Sequence, residues 1–193
     1  MRSNHVVMSD FDRNQFRYTA FFCEENIWWL AHDLVENYPQ ITNMQVLFLT
    51  NPDESIVLLN QKNTAPGQVT VWDYHVILYA TIDHDSLIFD FDSKLEFPTP
   101  ARTYTAYTFP QQASLPKRYQ TWVRSVEAKA FLDQFHSDRS HMIDKIGSVS
   151  FPSEPPITPK SGNVAIDLSE YRNLAQAISG SQIYPLENFL RAG

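Results

Sequence analysis

The spacing of apolar residues changes after the first forty positions, and this change most limits how the chain can fold. Over residues 24–38 the apolar side chains recur at intervals of three and four, which predicts an amphipathic helix that Pro39 ends. Beyond Pro39 the pattern becomes short aliphatic and β-branched runs between turn-forming residues, which predicts strands. A long helix followed by several strands buries both patterns when the helix packs on a sheet. We therefore predict an α+β fold.

The predicted sheet is mainly antiparallel because its strands are joined by short polar links, such as residues 83–86. The predicted strands cover residues 44–50, 55–59, 69–80, 87–92 and 120–126, and two further helices cover residues 127–135 and 167–178. We expect residues 1–193 to form one domain, with an N-terminal arm over residues 1–17. Residues 148–163 carry four prolines and are expected to form an extended loop.

Composition excludes several classes of function. The 193 residues are 43% hydrophobic, which is enough to fill a core. The net charge is -7 and there is no basic run, so we expect no nucleic-acid partner. The apolar runs are too short to cross a bilayer and the first residues are not those of a secretory signal. We expect the protein to be a monomer and to have no membrane partner. We expect it to be cytoplasmic and, in a eukaryotic cell, also nuclear.

The single cysteine, Cys23, stands at the start of the predicted helix. A thiol at a helix start lies beside unpaired backbone N–H groups and the positive end of the helix dipole, which favour the thiolate. The same N–H groups can form part of an oxyanion hole. However, a lone cysteine is more often a small buried apolar residue, so Cys23 alone does not indicate catalysis.

A histidine in the middle of a predicted strand strengthens the case for catalysis. Within residues 69–80, strand alternation places Asp73 and His75 on one face and Trp72 and Tyr74 on the other. A buried strand histidine needs a partner for each ring nitrogen, and the role of such a residue is often structural.

The next predicted strand offers a carboxylate partner for His75. A four-residue hairpin loop over residues 81–84 would pair His75 with Asp90, whereas a tighter turn at residues 83–84 would pair it with Asp92. The residue pattern leaves both registers open. With Cys23, either register gives a Cys-His-Asp arrangement, in which the acid orients the imidazole and the imidazole activates the thiol.

Metal and nucleotide sites have no comparable support. The other histidines lack the spacing of metal ligands, and one cysteine excludes the usual structural zinc clusters. The sequence contains neither a P-loop nor a G-x-G-x-x-G motif. We therefore predict no metal and no organic cofactor.

Four blocks of the sequence stand out as motifs. They are Cys23-Glu24-Glu25-Asn26-Ile27-Trp28, Trp72-Asp73-Tyr74-His75-Val76, Phe89-Asp90-Phe91-Asp92 followed by Phe97-Pro98, and Ser137-Asp138-Arg139-Ser140-His141-Met142. These blocks resemble signatures of the protein N-terminal glutamine amidohydrolase family and occur in the family's order, and the second is the W-D-Y-H-V motif for which the family is known. The resemblance extends from about Tyr18 to the C-terminus and is loose in the proline-rich loop.

The resemblance implies a fold and a reaction. The fold would be papain- or transglutaminase-like, with an N-terminal catalytic helix packed on the sheet. Matching the family's motifs would make Cys23 the nucleophile, His75 the base and Asp90 the acid. Because the four-residue loop is the one that pairs His75 with Asp90, the resemblance implies the longer hairpin loop. The implied reaction converts an N-terminal glutamine of a protein or peptide to glutamate, releasing ammonia through a cysteine thioester and requiring no cofactor.

Selectivity for an N-terminal glutamine requires recognition of its α-ammonium group, because an internal glutamine has the same side chain. A carboxylate is the natural partner, and Asp73 is the first candidate because it shares a predicted face with His75. Trp72 and Tyr18 are further candidates for the substrate pocket.

Three alternatives to this function stay open. A transglutaminase-like enzyme, an internal-glutamine deamidase or a cysteine protease would use the same triad. A module that binds N-terminal residues without catalysis would not need Cys23. The third alternative is a structural α+β protein in which the triad is coincidental.

Overall fold

The long helix predicted near the start of the chain is present and has Cys23 as its first residue. The computed structural model describes residues 8–145 and 147–191. Helix α1 spans Cys23–Asn37 and buries one stripe of apolar side chains, among them Ile27, Leu30 and Leu34, each no more than 1% exposed. These side chains pack in one apolar core with side chains of the central strands. The apolar spacing of the helix thus fixes which of its sides meets the sheet.

The strands that the structure describes are β1 (Thr42–Thr50), β2 (Ile56–Leu58), β3 (Thr70–Trp72), β4 (His75–Ile82), β5 (Asp85–Phe89), β6 (Thr99–Pro100), β7 (Trp122–Glu127), β8 (Phe135–His136), β9 (Ile166–Asp167) and β10 (Ser181–Pro185). Six of them form the main sheet, in the order β10-β7-β1-β4-β5-β6, and every neighbouring pair is antiparallel. Strands β2 and β3 form an antiparallel pair, and β8 and β9 a parallel pair.

Both faces of the main sheet are covered. Val46 and Phe48 of β1 belong to the core that contains α1, whereas Leu47 and Leu49 belong to a second core on the opposite face. This alternation follows from the two-residue period of a strand.

The other helices are α2 (Ala101–Thr108), α3 (Ala128–Gln134), α4 (Leu168–Arg172) and α5 (Leu186–Arg191). The α+β class and the antiparallel sheet are therefore confirmed.

The prediction of one continuous strand over residues 69–80 is wrong, because the structure has two strands there. The backbone bends at Asp73, so that β3 pairs with β2 while β4 joins the main sheet. Tyr74 turns inward, where its hydroxyl donates a hydrogen bond to Glu24, and the side chain of Asp73 stays 55% exposed. Asp73 and His75 therefore do not share the face of one continuous strand.

The hairpin between β4 and β5 also differs from the expectation. Ile82 pairs with Asp85 across a two-residue turn, in which Asp83 has a φ of 54°. A left-handed aspartate suits such a tight turn, so the longer loop that the resemblance implied is wrong. Strand β5 ends at Phe89, directly before Asp90.

The helix predicted over residues 167–178 is shorter than expected. Helix α4 has a capping box between Asp167 and Glu170 and ends at Arg172. The carbonyls of Tyr171, Asn173 and Gln176 accept hydrogen bonds from the buried guanidinium of Arg124. These carbonyls are directed at Arg124, and the chain continues to β10 as an irregular segment.

The N-terminal arm and the proline-rich segment can both be compared with the sequence expectation. In the described part of the predicted arm, Phe11 is 4% exposed and contacts Tyr38 and Phe89. Residues 150–163 form neither helix nor strand, as the prolines predicted. None of the helices that the structure describes has the length and apolar character needed to span a bilayer.

Candidate active site

His75 and Asp90 form a buried hydrogen-bonded pair at the end of the central strands. Nε2 of His75 lies 2.9 Å from Oδ1 of Asp90, and each side chain is 2% exposed. In a continued β5 the register would place Asp92 opposite His75 and Asp90 one diagonal step away. However, β5 ends at Phe89 and the chain turns, with the N–H of Asp92 bonded to Oδ1 of Asp90, so the direct pairing with Asp92 does not form. The tight hairpin turn thus still brings Asp90 rather than Asp92 to the imidazole.

Three donors serve the Asp90 carboxylate. Besides His75, the backbone N–H of Asp92 donates to Oδ1 at 2.9 Å and the hydroxyl of Tyr104 donates to Oδ2 at 2.8 Å. Burial acts to raise the pKa of Asp90, but the charge of His75 and these hydrogen bonds outweigh it, so the pKa is lowered. Burial acts to lower the pKa of His75, but the Asp90 carboxylate outweighs it, so the pKa is raised. The Asp90 carboxylate therefore stabilises the imidazolium that forms when His75 accepts a proton, and Nδ1 is the ring nitrogen left for another partner.

The Cys23 thiol lies at the first turn of α1, after Phe22 as the cap residue. Its Sγ is 3.6 Å from Oε2 of Glu24. Burial, followed by the charges of Glu24 and Asp92, raises the pKa of the Cys23 thiol well above its usual range. This direction is opposite to the one expected from the helix start alone, so the thiol needs a base to become a thiolate.

Glu24 is a fully buried carboxylate beside the thiol, and sequence reasoning missed it. Tyr74 donates a hydrogen bond to Oε2 of Glu24 at 3.0 Å, and Nε2 of His141 lies 3.4 Å from Oε1. Burial raises the pKa of Glu24 to about 7. Burial and the charge of Arg172 lower the pKa of His141. The position of Glu24 directly after Cys23 was the available signal, but a glutamate in a first helical turn is usually solvated.

Cys23 and His75 line one pocket of about 330 Å³. The predicted substrate-binding residues Asp73, Trp72 and Tyr18 line it as well, whereas Asp90 lies behind His75. The remaining lining residues are Ala20, Phe21, Asn63, Thr70, Tyr74, Asp92, His141, Met142 and Lys145.

Two aromatic side chains hold charged groups of this pocket in place. The ring of Trp72 packs against the imidazole of His75, with 4.6 Å between centroids. The hydroxyl of Tyr18 donates to Oδ1 of Asp92 at 2.6 Å, and its ring stacks on Phe91. Trp72 therefore limits the movement of the imidazole, and Tyr18 fixes a second carboxylate in the pocket.

Asp73, the first candidate for binding an α-ammonium group, already has a cationic neighbour. Its Oδ2 lies 3.3 Å from Nη2 of Arg172, which also pairs with Glu54 at 2.8 Å. The Asp73 side chain is 55% exposed. Its carboxylate is therefore both hydrated and partly neutralised.

Three of these residues could also hold a metal ion by distance alone. Ligand atoms of His75, Asp90 and Asp92 lie within 4.8 Å of one another. However, Nε2 of His75 and Oδ1 of Asp90 are hydrogen-bonded to each other, so a metal there would have to replace that bond. The absence of a metal cofactor stays a prediction.

The fold and the pocket define a class of protein. A thiol at a helix start, sharing a pocket with a histidine that is bonded to a carboxylate, is the set of groups found in enzymes that act on acyl groups through a cysteine. The α+β fold and these three groups together define a candidate cysteine-dependent amide hydrolase or acyl transferase.

Comparison with known proteins makes this assignment specific. The family model described as N-terminal glutamine amidase matches residues 18–191, and the chain belongs to that family. The relative in Arabidopsis thaliana, a protein N-terminal glutamine amidohydrolase, is 34% identical over 183 residues, which are 90% of this chain and 82% of the relative. Relatives of the same name are 29% identical in Danio rerio, covering 92% and 89%, and 27% identical in Homo sapiens, covering 89% and 85%. The resemblance seen in the sequence is confirmed.

Proposed function

We propose that this chain hydrolyses the side-chain amide of an N-terminal glutamine in proteins or peptides, giving N-terminal glutamate and ammonia. The family match over residues 18–191 is the observation that carries the proposal. The pocket shared by Cys23 and His75, with Asp90 bonded to His75, supports it by supplying the groups that such a reaction needs.

In the proposed reaction, the Cys23 thiol gives its proton to His75 and Sγ attacks the side-chain amide carbon. A C–S bond forms, the C–N bond breaks, and the imidazolium protonates the departing ammonia. Water then attacks the thioester while His75 accepts its proton, and the C–S bond breaks to release glutamate. The proton held by His75 returns to Cys23, which restores the resting thiol.

Asp90 would hold the imidazole with Nε2 towards the carboxylate and Nδ1 towards the thiol. This role is supported by the buried 2.9 Å hydrogen bond between His75 and Asp90. The backbone N–H of Cys23 would stabilise the oxyanion, and one such donor is typically worth about 3 kcal/mol.

We also propose that the fold is papain- or transglutaminase-like. The support is the placement of the three groups: the cysteine begins a helix that packs on an antiparallel sheet, the histidine begins β4, and the aspartate follows β5. Tyr18 and Trp72 would form walls of the substrate pocket, since both line it.

The test is mass spectrometry of synthetic peptides after incubation with the wild type and with Cys23→Ala. One peptide begins with a free glutamine, one with asparagine, one with acetylated glutamine, and one carries glutamine only internally. We expect a mass gain of about 1 Da in the first peptide alone, because the amide becomes an acid. Cys23→Ala, shown to be folded by thermal unfolding, should give none.

Other outcomes of this test identify the alternatives. Deamidation or cross-linking of the internal glutamine would favour a transglutaminase-like enzyme or an internal-glutamine deamidase. Peptide-bond cleavage would indicate a cysteine protease. If the folded wild type converted no peptide, the amidohydrolase proposal would be overturned.

A further inference from the structure

A second carboxylate lies in the pocket and is not part of the triad. Asp92 lines the pocket with Cys23 and His75. Its backbone N–H donates to Oδ1 of Asp90, and its backbone carbonyl accepts from the N–H of Lys62 at 2.7 Å. The carboxylate is therefore held at a fixed position beside the imidazole.

The charges of His75 and Lys62 act on the Asp92 carboxylate, but no lysine or arginine in the described part of the chain forms a direct ion pair with it. Burial raises the pKa of this carboxyl, against the opposing charge of His75. In the described part of the chain, no lysine or arginine nitrogen lies within 4.0 Å of it, whereas Asp73 has Arg172 at 3.3 Å. The amine of Lys62 lies over the ring of Tyr18, 5.1 Å from its centroid. The hydrogen bond that the structure gives the Asp92 carboxylate comes from Tyr18, at 2.6 Å.

The spacing within the pocket fits the two ends of a glutamine. An oxygen of Asp92 lies within 4.8 Å of a ring nitrogen of His75. In an extended glutamine, the side-chain amide carbon and the α-nitrogen are about 5 Å apart, being separated by four bonds. A glutamine with its amide carbon near the sulfur and imidazole could therefore bring its α-nitrogen near Asp92.

We propose that Asp92, held by Tyr18, binds the α-ammonium group of the substrate and so restricts the enzyme to N-terminal glutamine. This inference rests on the proposed function. An acetylated or internal glutamine has a neutral amide at that position, so the half-buried Asp92 carboxylate would lack its cationic partner. An N-terminal asparagine is one methylene shorter and could not reach both Asp92 and Cys23.

The test compares two peptides that differ only in the α-amino group. One begins with glutamine, and the other with a 4-carbamoylbutanoyl group, which is glutamine without the amine. The measured quantity is the ratio of their kcat/KM values. Loss of a charged hydrogen bond corresponds to a factor of about 10 to 100, so Asp92→Asn should lower this ratio by that factor. Tyr18→Phe should lower it less, because Asp92 keeps its charge.

Two matched substitutions complete the experiment. Asp53→Asn changes an exposed aspartate of a turn outside the pocket and should leave the ratio at its wild-type value. Asp73→Asn tests the other carboxylate of the pocket rim. A lower ratio in Asp73→Asn with a wild-type ratio in Asp92→Asn would overturn the assignment to Asp92.

Failure of this inference can be distinguished from failure of the proposed function. If the wild type converts the glutamine peptide and folded Asp92→Asn keeps the wild-type ratio, the role of Asp92 is overturned while the function stands. If the wild type converts neither peptide, both are overturned. Should Asp92→Asn not fold, Asp92→Ser provides the same comparison because it also removes the charge, and a wild-type ratio in it would overturn the role.

Discussion

The guanidinium of Arg139 donates two hydrogen bonds to the carboxylate of Glu25, from Nε at 2.7 Å and from Nη2 at 2.9 Å. The hydroxyl of Ser137 adds a third hydrogen bond to Glu25 at 2.6 Å. The two charged side chains are 11% and 2% exposed. Because Glu25 is two residues after Cys23, this ion pair fixes the start of α1 to the segment that follows β8.

Removing Arg139 should strongly destabilise the protein. Arg139→Met leaves the charge of Glu25 buried without a partner, which typically costs about 3–5 kcal/mol in the free energy of unfolding. Urea unfolding measures this loss. The double variant Glu25→Gln with Arg139→Met should recover much of it, because no unpaired charge remains.

An exposed ion pair provides the control for this prediction. Lys129 pairs with Asp133 at 3.0 Å, but its side chain is 83% exposed. Lys129→Met should therefore change stability far less than Arg139→Met. Equal losses in the two single variants would contradict the role of the buried pair.

Tyr104 should affect the proposed activity although it does not line the pocket. Its hydroxyl bonds Oδ2 of Asp90, so Tyr104→Phe leaves the carboxylate less firmly held and its pKa higher. We expect kcat/KM for the glutamine peptide to fall by about 2- to 10-fold, the worth of one hydrogen bond. Tyr107→Phe, on the same helix but 59% exposed, is the matched control. A wild-type rate in Tyr104→Phe would show that this bond does not serve His75.

Sequence patterns predicted those elements whose burial follows directly from apolar spacing. Helix α1 and strand β1 have strong periodic patterns, and the structure contains both. Helix α2 was missed because its buried positions have helical spacing, but only Tyr104 is large, and the others, Ala101, Thr105 and Thr108, are small or polar. The bend at Asp73 was missed because its cause is distant in sequence: Tyr74 bonds Glu24, fifty positions earlier.

The same distinction holds for the candidate site. The motifs selected His75 and Asp90 as a pair, and the structure brings them together, but through a hairpin turn different from the one expected. Asp92 was considered only as a partner of His75. Its contact with Tyr18 joins residues 74 positions apart, so no local pattern could reveal it.

Arg124 should be essential for the segment between α4 and β10. It is 0% exposed, and its hydrogen bonds to three carbonyls and to the hydroxyl of Ser181 hold that segment to β7. Arg124→Ala removes these donors and opens a cavity, so we expect a loss of about 3–5 kcal/mol in urea unfolding. Hydrogen exchange should show residues 173–180 losing protection first.

A lysine at this position tests whether the forked geometry matters. Arg124→Lys keeps the charge but offers fewer donors in a less rigid arrangement, so it should recover only part of the lost stability. Full recovery would show that charge and volume suffice. Arg118→Ala, at a more accessible site in the loop before β7, is the control and should have a small effect.

Glu24 should make the free energy of unfolding fall as pH rises. A carboxylate whose pKa is lowered by an ion-pair partner has the opposite effect. Burial raises its pKa from 4.5 to about 7 in the folded protein. Between these values the unfolded chain has lost the proton and the folded chain keeps it, so the folded state binds more protons and stability decreases as pH rises. The loss is complete above about pH 7 and amounts to about 3 kcal/mol, from 1.36 kcal/mol for each pKa unit.

Glu24→Gln tests this dependence, because glutamine resembles the protonated carboxyl and does not titrate. Its hydrogen-bond acceptor can still serve Tyr74. The difference in unfolding free energy between Glu24→Gln and the wild type, measured in urea at pH 4, 6 and 8, should move in favour of the variant by about 3 kcal/mol across the series. Glu36→Gln, an exposed change on the same helix, should give a nearly constant difference. A constant difference for Glu24→Gln as well would mean that burial does not raise the pKa of Glu24, and its charge would then oppose thiolate formation at Cys23 at both pH 6 and pH 8.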